Sequence, residues 1–124
     1  GSMINEVPYN KDLYFYGEED DLSIRLFTNG YDVYSCPRNI IGHDYERNRV
    51  RHWGDHSNWH MIDQKSKNTL SEMIRGKNNG TIYGLGTKRP LKEFETLAQI
   101  DYNKKIAHTT LEDHGKYLIG KNDE

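Results

Sequence analysis

Apolar positions fall into short groups separated by polar and glycine-rich stretches. Leu13-Tyr14-Phe15-Tyr16 is a continuous apolar run ended by Gly17, which predicts a short strand. Gly17 would also let the backbone approach a ligand closely. Glu18, Glu19, Asp20 and Asp21 then fill a first helical turn, where negative charge meets the positive end of the helix dipole. Leu22, Ile24, Leu26 and Phe27 follow at helical spacing and predict one buried face. Asn29-Gly30 stops the helix, with Gly30 suited to the left-handed position beyond its end. Of the acidic residues, Glu19, Asp20 and Asp21 are expected to be solvated, apart from whichever one caps.

Tyr31 to Ser35 predicts a second short strand, stopped by Pro37. Asn39 to Gly42 is a third extended segment that delivers His43. The stretch from Asp44 to Trp53 is polar and arginine-rich. Asp63 to Arg75 predicts a helix carrying Leu70, Met73 and Ile74, with Gly76 past its end. Lys77-Asn78-Asn79-Gly80 marks a turn, and Tyr83-Gly84-Leu85-Gly86-Thr87 a glycine-rich loop. Pro90 fits the first turn of a last helix with Leu91, Phe94, Leu97 and Ala98 on one side. The fold class expected for the isolated piece is α+β, short strands followed by helices. Residues 1–3 read as a cloning scar with a start methionine, 4–108 as one unit and 109–124 as a polar tail.

The 124 residues suffice for one small domain. Only 34% are hydrophobic and the mean hydropathy is −0.98, which is low for so short a chain. Nine tyrosines and two tryptophans partly compensate, because each ring buries a large area. The balance leaves a marginal, loop-rich domain or a fragment that packs on another domain or a second copy. The net charge of −2, with acids and bases interspersed, gives no electrostatic case for nucleic acid. No apolar run is long enough to span a bilayer. The single cysteine, Cys36, excludes an internal disulfide and favours a reducing, cytoplasmic compartment.

Four groups of residues are candidates for chemistry. Glu18, a carboxylate at a helix start beside a glycine, can accept a hydroxyl from a substrate; an acidic turn serving only the dipole gives the same pattern. His43 on a Gly-His turn has an unencumbered ring, and neutral imidazole suits a borderline metal such as Mn²⁺. It would need oxygen ligands from elsewhere, because the chain has no Asp-x-Asp or Asp-x-His triplet. His52, His56 and His60 recur every four residues, a zinc-chelating spacing on a helix, but the glutamate of His-Glu-x-x-His is missing. Trp53 and Trp59 lie among them; indole stacks on a sugar or packs a core. The Tyr83–Thr87 loop lacks the Lys-Ser/Thr ending of a phosphate-binding loop and either covers a cleft or turns a corner.

Tyr16-Gly17-Glu18 through Leu22-Ser23-Ile24-Arg25 resembles the Gly-Gly-Glu-Asn…Leu-Ser-Phe-Arg motif of polypeptide N-acetylgalactosaminyltransferases, and the match runs on through Gly30, Pro37, Gly42 and His43. Residues 13–19, Gly30-Tyr31-Asp32-Val33, Arg51-His52-Trp53 and Tyr83–Thr87 make the chain more similar still to the related polypeptide GlcNAc-transferases, including those acting on hydroxyproline. The resemblance covers roughly residues 8–108. It implies the C-terminal part of a GT-A-type catalytic domain (the parent fold being α/β), retaining and metal-dependent, that moves a sugar from a UDP-sugar to a protein hydroxyl. In that frame His43 would complete the divalent-metal site, Mn²⁺ by expectation, and Glu18 would line the sugar cleft as the catalytic carboxylate. Glu19, Trp53, Tyr83 and Gly84 would bind substrate. The nucleotide-binding strands and the aspartate metal motif of the family are not in this chain, and Glu19 replaces the asparagine of the galactosaminyl enzymes. The resemblance therefore implies half a metal site, no transfer by this chain alone, and self-association or packing on the missing half. A carbohydrate- or protein-binding module without catalysis, and a zinc protein built on His52, His56 and His60, are the alternatives.

Overall fold

The computed structural model describes residues 1–34, 38, 40–42, 54 and 56–108. Among these, the elements are α1 (Met3–Glu6), α2 (Glu18–Thr28), α3 (Trp59–Ile74), α4 (Leu91–Ala98), β1 (Ile100–Asp101) and β2 (Ile106–Ala107). The two strands form an antiparallel hairpin in the register Ile100↔Ala107 and Asp101↔Ile106. The described residues are thus a small α+β arrangement in which the strands come after the helices.

That order differs from the one expected. Leu13 to Tyr16 and Tyr31 to Tyr34 are irregular, and so are Ile40, Ile41 and Gly42. The Tyr14 amide, which a strand would direct to a neighbouring strand, donates to Ser66 Oγ on α3 at 2.8 Å. The first apolar run therefore anchors to a helix: Leu13 is buried, while Phe15 and Tyr16 stay exposed. The remainder of the two later segments, Ser35 to Pro37 and Asn39, lies outside the described residues.

The core is a contact between helices. Ile24 of α2 and Leu70 and Met73 of α3 are buried together, and Leu85, Leu91, Phe94 and Tyr102 pack against them. Phe27 meets Phe94 edge-on, with ring centroids 5.5 Å apart. Both longer helices end in the same closure. Gly30 (φ +88°) donates to Phe27 O while Tyr31 donates to Leu26 O. Gly76 (φ +73°) donates to Met73 O while Lys77 donates to Glu72 O. Each is the paired bond set of a left-handed cap, which satisfies carbonyls the helix leaves open.

α3 begins at Trp59, four residues before the expected start at Asp63. α4 forms where the last helix is expected, but Pro90 precedes it as an extended N-cap residue and does not enter its first turn. Leu97, assigned to the packed side of α4, is 71% exposed. No helix among the described residues is long and apolar enough to cross a membrane.

Candidate functional site

Glu18 opens α2 directly after Gly17, whose φ of +82° belongs to the left-handed region. The close approach permitted by this glycine is to protein: a Cβ there would stand 2.6 Å from Leu70 Cδ2. Gly17 thus seats the start of α2 on α3 and fixes the direction in which Glu18 leaves the helix.

The next turn of α2 corrects the expectation of solvated acids. Asp21 is 1% exposed and Arg25 is fully buried. Arg25 Nε and Nη2 lie 2.8 and 2.7 Å from the same Asp21 oxygen, Oδ2. Arg25 Nη1 donates to Pro8 O at 2.9 Å, and buried Asn10 donates to Asp21 Oδ1 at 3.3 Å. Two charges removed from water need partners for their outer groups; the segment 8–10 supplies them for Arg25 Nη1 and Asp21 Oδ1, while Arg25 Nη2 has the ion-pair contact alone. The ion pair thereby straps this segment across α2.

The strap carries Tyr9, a half-exposed residue whose hydroxyl lies beside the Glu18 carboxylate. Burial, the adjacent Glu18 carboxylate and the charges of Glu19 and Asp21 push the Tyr9 phenol up to about 12. Across the neutral range Tyr9 is therefore a hydrogen-bond donor, and Glu18 keeps further lone pairs for another hydroxyl. Tyr83 covers the ion pair from another direction, with the Arg25 guanidinium carbon 5.7 Å from its ring centroid.

The loop that holds Tyr83 is docked on the C-terminal end of α2. The Gly86 amide donates to Thr28 Oγ1 at 2.9 Å, and Thr28 O accepts from the amides of Lys88 and Arg89. A Cβ on Gly86 would overlap the Thr28 and Asn29 backbone, and one on Gly84 the Asn78 carbonyl. The glycines of this loop turn a corner against other backbone. Of the sequence-assigned site residues, Tyr83 lies over Arg25, Glu18 is half-buried at the start of α2 with Glu19 exposed beside it, and Gly84 is buried. His43 and Trp53 lie outside the described residues.

Sequence reasoning missed Tyr9, Asn10 and Arg25. The spacing of Asp21 and Arg25, four apart on a helix, was the available signal. The histidine series does not keep its helical premise. His56 precedes α3, and its ring lies edge-on to Tyr14 with centroids 5.9 Å apart. His60 is inside α3, its ring 3.7 Å from that of Trp59. His52 lies outside the described residues.

A family model described as Glycosyltransferase (GlcNAc) matches residues 1–81, a span that contains Tyr9, Glu18, Asp21 and Arg25. The chain belongs to this GlcNAc glycosyltransferase family. No curated protein and no solved structure matches it. Membership gives glycosyltransferase character at the level of the family and draws the strap, α2 and all of α3 into the family's shared region.

Proposed function

We propose that this chain forms part of the sugar-transfer site of a retaining, metal-dependent glycosyltransferase with a GT-A-type fold, which moves GlcNAc from a UDP-sugar to a protein hydroxyl. Family membership supports the reaction class. The observation that carries the role of this segment is the half-buried Glu18 carboxylate at the start of α2, with the Tyr9 hydroxyl beside it on a strap that the Asp21–Arg25 pair pins down.

In this reading Glu18 accepts hydroxyl protons of the sugar or acceptor and faces the positive charge that develops at the anomeric carbon. Tyr9 fixes the carboxylate's rotamer, and the ion pair fixes Tyr9. Glu19 and the Tyr83–Gly84 corner contribute to substrate binding. His43 and Trp53 are proposed as a metal ligand and a cleft residue on the strength of the motif they complete. Imidazole is a suitable donor for Mn²⁺, and such a metal when bound offsets charge on the departing UDP.

The test uses the native protein that carries this chain, assayed with UDP-GlcNAc, Mn²⁺ and a hydroxylated peptide. Glu18→Gln is expected to lower kcat by roughly 10²–10³-fold with the fold intact. Tyr9→Phe is expected to cost about tenfold, because the carboxylate is kept and only its orientation is loosened. Wild-type kcat in Glu18→Gln would remove Glu18 from the chemistry.

A further inference from the structure

A cleft of about 420 Å³ lies between the first turn of α2, the later turns of α3 and the β1–β2 turn. It is separate from the Glu18 side of α2. At about 100° per residue, Glu18 and Asp20 leave the helix on opposite flanks, with buried Asp21 and Ile24 between them. Its apolar lining is Leu70 and Ile74, which belong to the core and its edge, so the cleft has a fixed wall.

The polar lining is unusual in what it leaves unpaired. Asp20 has no hydrogen-bond or ion-pair partner among the described residues, and burial, with the charge of Glu19 added, raises its pKa. The Tyr102 hydroxyl is buried without a hydrogen-bond partner. Arg75 and Lys105 are exposed and have no carboxylate partner among the described residues. Lys67, by contrast, is engaged within the protein: it is 2.7 Å from Asp63 and 4.9 Å from the ring centroid of Tyr16.

We propose that this cleft binds an anionic pyranose, a sugar ring bearing a phosphate or a carboxylate. Arg75 and Lys105 take the anionic substituent. Asp20, exposed and without a hydrogen-bond or ion-pair partner among the described residues, accepts from ring hydroxyls. Tyr16, half exposed at the cleft, offers an aromatic face to the C–H side of the ring. The combination selects against simpler ligands. A bare anion leaves Asp20 unpartnered and repelled, and a neutral sugar leaves both cations unused. The volume is at the lower end of the range for small-molecule sites, which suits one substituted ring. The proposal does not rest on the transferase reading of Glu18.

Isothermal titration of the full chain tests it with four probes: N-acetylglucosamine 6-phosphate, glucuronate, N-acetylglucosamine and inorganic phosphate. The expected result is that one of the two anionic sugars binds at least about tenfold more tightly than both the neutral sugar and inorganic phosphate, and which one does so identifies the anionic group. Asp20→Asn and Arg75→Gln, both at exposed positions, are each expected to weaken that binding about tenfold with unchanged circular dichroism. Equal affinity for inorganic phosphate and the sugar phosphate would overturn the proposal. So would binding that neither substitution alters, or no binding of either anionic sugar at millimolar concentration.

Discussion

The two flanks of α2 handle polar groups in opposite ways. On one, Asp21 and Arg25 are removed from water together, and Asn10 and Pro8 supply their outer partners. On the other, Asp20 and the Tyr102 hydroxyl have no hydrogen-bond partner among the described residues. A buried polar network holds structure in place, and here it holds the segment that carries Tyr9. An exposed carboxylate without a partner, such as Asp20, does no such work. The contrast separates residues that matter to folding from residues that matter to a ligand.

The contrast breaks most visibly at Arg25. Arg25→Ala leaves Asp21 as an uncompensated buried charge and is expected to cost about 3–5 kcal/mol in urea denaturation. Replacing both partners together, Asp21→Leu with Arg25→Met, is expected to recover most of that loss while freeing Tyr9 from Glu18. If the single substitution proves silent, the strap is not held by the pair. Next in size is the docked loop. Gly86→Ala drives a methyl into the α2 backbone and is expected to cost roughly 1–3 kcal/mol, also read from the urea midpoint.

Alkaline titration sharpens the comparison, because each flank contains one tyrosine pushed up to about 12. A phenol whose folded pKa lies above the unfolded value of about 10 favours the folded state fully below pH ~10. That contribution fades as pH rises from about 10 through about 12, so stability should fall across this window. Tyr9→Phe and Tyr102→Phe should each flatten part of the fall, followed by denaturation at stepped pH. The smallest effect concerns the open flank. Tyr102→Phe at neutral pH is expected to change stability by no more than about 0.5 kcal/mol, because it deletes a hydroxyl that bonds to nothing among the described residues. A clear loss in thermal or urea unfolding would reveal a partner for that hydroxyl and erase the contrast.

Much of the helical framework was legible in the sequence. The acidic first turn, the Asn29-Gly30 stop and the residue after Pro90 give the limits of α2 and the start of α4, because caps act locally. The strand expected at Leu13–Tyr16 failed for the opposite reason. An apolar run records a wish for burial without recording the partner, and the partner here is Ser66, fifty-two residues away. Trp59 to Ile62 entered α3 despite the Gly54 and Asn58 breakers just before them. The sequence placed Glu18 at the start of α2 after Gly17, and the structure has it there. The site was illegible at Asp21 and Arg25, because charged residues read as solvated unless something signals that they share a buried bond. Tyr9 carried no pattern of its own; it reaches Glu18 only because the segment 8–10 is tied across the helix.

Position 17 has room for a hydrogen atom and little else, with a leucine methyl of α3 directly overhead. A larger residue there would lever the front of α2 away from its neighbour. Both proposed ligand-facing carboxylates, one on each side of that pivot, would swing with it, so a single methyl far from either ligand should disturb the two sites at once.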